Sequence, residues 1–133
     1  MSDRHHIYFV AIGPGEAFKI GVTHSLWLRG RVKALRAAIH RDVVFLGAIA
    51  GSHAAEKKIH RLCAPYRIRN EFFRDCAAMR AVISEALNNG RELVTPSSLE
   101  AMPNEPVFAV LKIHQGFRRP RPTSTANAGQ SAA

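Results

Sequence analysis

Apolar and polar residues alternate in two short runs near the start of the chain and then follow a helical period. Residues 6–12 and 18–23 have the pattern of strands, and the segment between them, Gly13-Pro14-Gly15-Glu16, is typical of a tight turn. Apolar residues next recur at i, i+4, i+7 and i+11 and predict a helix over residues 26–39. The apolar positions of this helix are Leu28, Val32, Leu35 and Ile39. The chain therefore begins with a β-hairpin and an amphipathic helix.

The following segments predict one more strand and two more helices. Residues 43–50 form an apolar, β-rich run, and Gly51-Ser52 offers a turn and an N-cap for a helix that ends near Cys63. Residues 71–74 could form a short extended piece, and Asp75 is a candidate N-cap for a helix to about Asn88. The order is ββαβαα. We expect an α/β fold in which helices flank a small, mostly antiparallel, three-stranded sheet.

The character of the chain changes after Gly90. Pro96, Pro103 and Pro106 interrupt it, one strand-like run remains at residues 107–113, and the last stretch is basic and then small and polar. We expect a folded domain over residues 1–90 and a Pro-containing extension over 91–133, which ends in an irregular, disordered tail.

The distribution of charge along the chain indicates the kind of partner that the protein binds. The 133-residue chain has a formal net charge of +9, and residues 17–74 contain twelve Lys and Arg but only three acids. The whole excess thus lies on the predicted folded core, and such a surface favours a polyanion, above all a nucleic acid. The two cysteines suggest no disulfide framework, and no apolar run has the ~18 residues of a membrane span. We expect a cytoplasmic protein that does not contact a membrane.

The second predicted helix carries a candidate metal-binding group. Glu56 and His60 lie four residues apart, on the flank of the stripe formed by Ala55, Ile59 and Leu62. A carboxylate at the edge of the core could hold a divalent cation such as Mg²⁺, which takes one or two carboxylates plus phosphate and water. The alternative is an ordinary i,i+4 helix pair.

The first helix and the first strand carry further candidates. Four basic residues lie on that helix, and an arginine fork suits a phosphate that gains charge in a transition state. These residues are Arg29, Arg31, Lys33 and Arg36. Tyr8 shares a strand face with Val10 and Ile12; it could assist deprotonation of water or be a packing residue.

Five short motifs follow one another between residues 6 and 73. The first two are His6-Ile7-Tyr8 and Lys19-Ile20-Gly21. The other three are Arg31-Val32-Lys33-Ala34-Leu35, Glu56-Lys57-Lys58-Ile59-His60 and Arg67-Ile68-Arg69-Asn70-Glu71-Phe72-Phe73. Taken in order, they resemble the GIY-YIG endonuclease superfamily, in which the first two motifs are Gly-Ile-Tyr and Tyr-Ile-Gly. The branch that they resemble most is found in phage proteins and in fungal meiotically up-regulated proteins.

The resemblance implies hydrolysis of DNA phosphodiester bonds assisted by Mg²⁺ or Mn²⁺, with no small-molecule cofactor. It implies that Tyr8 lies beside the attacking water, that Arg31 stabilises charge on the phosphate and that Glu56 holds the metal ion. His60 is a further catalytic candidate. Arg29 competes with Arg31, because Arg29 fits the spacing of the wider superfamily and Arg31 fits the helix phase.

The remaining basic residues are candidates for binding the DNA backbone, and they leave a second hypothesis open. These residues are Lys19, Lys33, Arg36, Lys57, Arg67 and Arg69. Lys19 replaces the second tyrosine of the superfamily. The alternative function is therefore a GIY-YIG-like module that binds nucleic acid without cutting it, and a protein-interaction domain with a basic tail is a third hypothesis. The sequence leaves the oligomeric state open.

Overall fold

The computed structural model describes residues 4–102, which belong to one compact unit. The strands are β1 (His5–Ile12), β2 (Ala17–His24), β3 (Val43–Ala50), β4 (Arg67–Arg69) and β5 (Phe72–Arg74). The helices are α1 (Leu28–Ala38), α2 (His53–Leu62), α3 (Ala77–Asn89) and α4 (Pro96–Glu100). Single 3₁₀ turns lie at Ser25–Trp27 and Ala64–Tyr66.

The five strands form one antiparallel sheet in the order β3-β1-β2-β5-β4. The α/β class and the antiparallel pairing agree with the sequence analysis, but the expected count of three strands is wrong. The extended piece at residues 71–74 contains β5, which pairs with the start of β2, and β4 follows at the sheet edge. Each added strand has three residues, which is too short to show an alternation of apolar and polar positions.

The β1–β2 hairpin has the predicted tight turn. Gly13 and Gly15 have φ angles of +60° and +69°, a region that glycine enters without the steric cost of a Cβ atom. Every residue of β1 has a partner in β2, and Tyr8 lies opposite Gly21. The turn thus fixes the register that brings the tyrosine to a position without a facing side chain.

Each face of the sheet packs against its own helices, and the alternation of β1 divides the core in two. Ile7 and Phe9 pack with apolar residues of α2 and α3. Tyr8 and Val10 point to the other face, where they pack against α1 and α4. The predicted common face of Tyr8 and Val10 is confirmed. Since α1 and α2 cover opposite faces, groups from both helices can meet only at an edge of the sheet.

The helix boundaries differ from the prediction at several places. Residues 25–27 form a 3₁₀ turn, so α1 begins at Leu28 and not at residue 26. Ser52 caps α2 as predicted, with its hydroxyl accepting from Ala55 N at 3.2 Å. Leu62 was expected on the apolar stripe of α2 but is 66% exposed. Asp75 does not cap α3, because its carboxylate instead accepts from Arg80 Nε at 2.8 Å.

Residues 91–102 pack onto the sheet beside β3. Val94 forms an isolated bridge with Ala48, and Leu99 of α4 is buried in the Tyr8 core. The strand-like run at 107–113 and the tail lie outside the described residues. None of the described helices is long and apolar enough to span a lipid bilayer.

Candidate functional site

Tyr8 lies over Gly21 in the middle of the hairpin. The tyrosine is 1% exposed. A Cβ atom built on Gly21 would lie 2.4 Å from Tyr8 Oη and 2.5 Å from Cζ, far inside van der Waals contact. The phenol end of the ring therefore occupies the space that a side chain at position 21 would fill. Gly21 allows this close approach, as glycine within a strand often does.

Lys19 points to the same sheet face and forms an ion pair with Glu71. Its side chain is only 12% exposed. The Lys19 ammonium lies 5.7 Å from the centroid of the Tyr8 ring and 5.3 Å from that of Phe72, within the range of cation–π attraction. A buried ammonium needs such partners. Lys19, predicted to bind DNA phosphate, is thus paired inside the protein.

Three charged residues act on the Tyr8 hydroxyl. Burial is the largest influence and raises the pKa of Tyr8 above its ordinary value. The positive charges of Lys19 and Arg31 lower this pKa, and the negative charge of Glu71 raises it. The phenol is therefore neutral near pH 7. Arg31 itself is exposed on α1.

Glu56 and His60 approach β2 from the opposite face of the sheet. His60 Nε2 donates to the carbonyl oxygen of Ile20 at 3.0 Å, and this hydrogen bond joins α2 to the backbone of β2. This contact lies just beyond Lys19, the last β2 residue that pairs with β5. His60 Nε2 is also 3.5 Å from Glu56 Oε2. The predicted i,i+4 pair thus lies at the sheet edge.

The Glu56 carboxylate is buried and incompletely satisfied. Its side chain is 8% exposed, and within residues 4–102 no hydrogen-bond partner reaches Oε2. Burial raises the pKa of Glu56; the Glu71 charge adds to this rise, whereas His60, His53 and Lys19 oppose it. A buried acceptor without a partner is costly, and a carboxylate oxygen is the donor type that Mg²⁺ prefers.

Glu56 is a fitting ligand for a hard cation, but it would act almost alone. Residues 4–102 contain no group of three or more His, Cys, Asp or Glu side chains that could hold a metal ion. A cation at Glu56 would therefore take most of its ligands from water and from a bound phosphate, as Mg²⁺ commonly does.

Lys19 and Glu71 connect the two halves of the site. Their charges act on both Tyr8 and Glu56, whereas Arg31 acts on Tyr8. We define the edge cluster as the following six residues: Tyr8, Lys19, Arg31, Glu56, His60 and Glu71. Sequence reasoning gave Glu71 no role, although its motif was recognised. Only the pairing of β5 with β2 brings this glutamate to Lys19, which is 52 positions away.

The two candidate arginines of α1 have different surroundings. Arg29 Nη1 donates to the carbonyl oxygen of Met102 at 2.7 Å, and Arg29 Nη2 lies 3.9 Å from Glu100. Arg36 lies 3.6 Å from the same carboxylate. Arg29 and Arg36 therefore bind the α4 segment, whereas Arg31 acts on the edge cluster.

The other predicted DNA-binding residues lie on the surface. Lys33 on α1 and Lys57 on α2 are exposed. Arg67 and Arg69 are exposed on the edge strand β4, and the Arg67 guanidinium lies 5.5 Å from the Phe73 ring centroid. These side chains are spread over both helices and the sheet edge and are not part of the edge cluster.

Comparison with known proteins identifies one family. The family model of the T5orf172 domain matches residues 5–90, about two thirds of the chain. Searches of the curated proteins and of the solved structures gave no match. The matched range contains the whole edge cluster.

Proposed function

The chain belongs to the T5orf172 domain family, a phage-associated domain related to nuclease-type folds, and from this premise we propose that it is a DNA endonuclease. The proposed reaction is the hydrolysis of phosphodiester bonds with Mg²⁺ or Mn²⁺, at an active site of the GIY-YIG type. One observation carries the proposal. Tyr8 lies over Gly21, the Glu56–His60 pair contacts β2 at the adjacent Ile20 carbonyl, and one buried oxygen of Glu56 has no hydrogen-bond partner in the described residues.

Each group of the edge cluster has a role in this proposal. Hydrolysis forms a bond between the water oxygen and phosphorus, breaks the bond to the leaving oxygen and moves a proton from water to that oxygen. Tyr8, neutral at pH 7, would hold the attacking water through its hydroxyl oxygen. Arg31, exposed on α1, would stabilise the phosphate through its guanidinium as the phosphate oxygens gain charge.

Glu56 and His60 complete the set on the other side of the β2 edge. Glu56 would hold the divalent cation, which supplies Lewis-acid stabilisation of the phosphodiester when bound. His60 orients Glu56 through its contact with Oε2, and its bond to the Ile20 carbonyl fixes the ring. The exposed basic residues of α1, α2 and β4 would bind flanking phosphates and position the duplex.

A supercoiled-plasmid nicking assay tests the proposal. Wild type should convert the plasmid to the open circular form in Mg²⁺ or Mn²⁺ and not in EDTA. Glu56→Ala and Arg31→Ala should lose this activity. Glu85→Ala is the matched control, because Glu85 is also a helical glutamate but is exposed on α3. Equal nicking by wild type, Glu56→Ala and Arg31→Ala would reject the mechanism.

A DNA-binding module without hydrolysis is the second candidate function. Two observations favour it: Lys19 replaces the second tyrosine, and burial raises the pKa of the remaining one. This alternative requires wild type to bind DNA with steep salt dependence and to show no nicking in either metal.

A further inference from the structure

Lys19 is unusual for a basic residue on a proposed DNA-binding protein. Lysine is among the residues that proteins bury least, yet the Lys19 side chain is only 12% exposed, and its ammonium lies near the rings of both Tyr8 and Phe72. The partner carboxylate of Glu71 is 39% exposed. The more accessible member of the pair is thus the acid, which a nucleic-acid phosphate would repel.

We propose that Lys19 and Glu71 form a positioning pair for Tyr8, in which Glu71 holds the Lys19 ammonium against the tyrosine ring. In this arrangement Lys19 interacts with the tyrosine and does not bind a phosphate of the substrate. The inference rests on the proposed function for its meaning in catalysis, but its central test is independent of nuclease activity.

The strand register explains how the pair reaches the tyrosine. Tyr8 lies opposite Gly21, and Lys19 is two residues from Gly21 on the same face of β2. Because Gly21 has no side chain, the phenol ring can cover this position and approach Lys19. Lys19 also lies opposite Phe72, the residue after Glu71, so β5 brings the carboxylate to the ammonium.

The charges of the pair act on Tyr8 in opposite directions. The ammonium favours the phenolate, and the carboxylate favours the neutral phenol. Arg31 is the third charged group that acts on the hydroxyl, and it also favours the phenolate. Removing one member of the pair should therefore shift the titration of Tyr8 in a direction set by the sign of the charge that is lost.

The chain contains two tyrosines, Tyr8 and Tyr66, and this allows a direct test. In a Tyr66→Phe parent, the tyrosinate absorbance and the ¹³Cζ resonance of labelled tyrosine report on Tyr8 alone. Glu71→Gln should move the titration to lower pH, because the amide keeps an acceptor for Lys19 but has no charge. Lys19→Met should move it to higher pH, and Lys19→Arg, which keeps the charge, should stay near the parent.

The order of four variants decides the result. We expect the pKa of Tyr8 to be lowest in Glu71→Gln, intermediate in the Tyr66→Phe parent and highest in Lys19→Met. The Lys19→Met/Glu71→Gln double variant should lie between the two single variants. Comparisons use pH values at which circular dichroism gives the native signal. If Lys19→Met does not fold, Glu71→Gln and the double variant still test the order. Unchanged titrations in folded variants would overturn the proposal and leave the pair as a clamp between β2 and β5.

Salt-dependent DNA binding provides a second measurement. Each phosphate contact that is lost lowers the slope of log K against log salt by about 0.9 for duplex DNA. Lys57→Ala, at an exposed site on α2, should show this decrease, whereas Lys19→Met should leave the slope unchanged. A decrease for Lys19→Met would place Lys19 on a phosphate and contradict the proposal. If wild type binds no DNA, the proposed function fails, while the tyrosine titration still decides the role of the pair.

Discussion

Replacement of Gly21 by alanine should displace Tyr8 and so lower both stability and activity. The new Cβ atom would lie 2.4 Å from Oη and 2.5 Å from Cζ of a ring that is 1% exposed. The ring cannot swing into solvent without leaving the core, so the strands or the side chain must shift. Overpacking of this kind costs about 1–3 kcal/mol. For a domain of about 100 residues, this corresponds to a decrease in Tm of roughly 4–24 °C.

The same displacement should reduce catalysis if Tyr8 holds the attacking water. A shift of about 1 Å in a catalytic group costs on the order of 100-fold in rate. Tyr8→Phe should not relieve the clash, because Cζ remains. Tyr8→Ala removes the ring and should itself destabilise by about 3–5 kcal/mol through the cavity that it leaves.

Thermal unfolding of the four members of the Gly21→Ala and Tyr8→Ala cycle measures this coupling. In the Tyr8→Ala background, Gly21→Ala should be neutral or stabilise by up to about 1 kcal/mol, since alanine is less costly than glycine in a strand. The sign of the alanine effect should thus reverse between the two backgrounds. An equal loss of Tm in both would show that the clash with Tyr8 is not its cause, and the reasoning would be wrong.

Three further outcomes follow from the site and its surroundings. Burial raises the pKa of Glu56 above its value in the unfolded chain, so its stabilising contribution exists below the unfolded pKa and is lost as the pH rises through the folded pKa. Glu56→Gln should therefore raise Tm at pH 7, and a Tm below that of wild type would contradict this. Added Mg²⁺ should raise the Tm of wild type but not of this variant. Arg29→Ala should lower the free energy of unfolding by about 0.5–1.5 kcal/mol through loss of its hydrogen bond to the α4 segment. Arg31→Ala should leave Tm near wild type and reduce nicking. Loss of stability in Arg31→Ala and loss of nicking in Arg29→Ala would exchange the roles of the two arginines. Burial also raises the pKa of the Cys63 thiol, so a thiol reagent should label the half-buried Cys76 first, and preferential labelling of Cys63 in the native protein would refute its placement in the core.

Local patterns predicted the parts of the fold in which neighbours in sequence are neighbours in space. The alternation in β1 separated the core face of Tyr8 from that of Phe9, and the Gly-Pro-Gly turn predicted the hairpin. Ser52 was predicted as the cap of α2 because capping depends on residues three positions apart. Such features need few contacts beyond their own segment.

The same local reasoning failed where distant segments determine the structure. The three-residue strands β4 and β5 exist because they add to the edge of β2, and their sequences are too short to carry a pattern. Leu62 lies on a helical stripe that continues past the core, so periodicity alone placed it incorrectly inside. Asp75 pairs with Arg80 and leaves the N-cap to Cys76, a competition between side chains that the sequence does not rank.

By itself, the sequence determined the α/β class, the excess of basic residues in the folded domain and the candidate groups Tyr8, Arg31 and Glu56. The tertiary structure decided how these groups are related. The helices of Arg31 and Glu56 cover opposite faces of the sheet, and the charges of Lys19 and Glu71 act both on Tyr8, where Arg31 also acts, and on Glu56. Coulomb interactions depend on separation in space and on burial, and a linear sequence specifies neither for residues that are far apart along the chain.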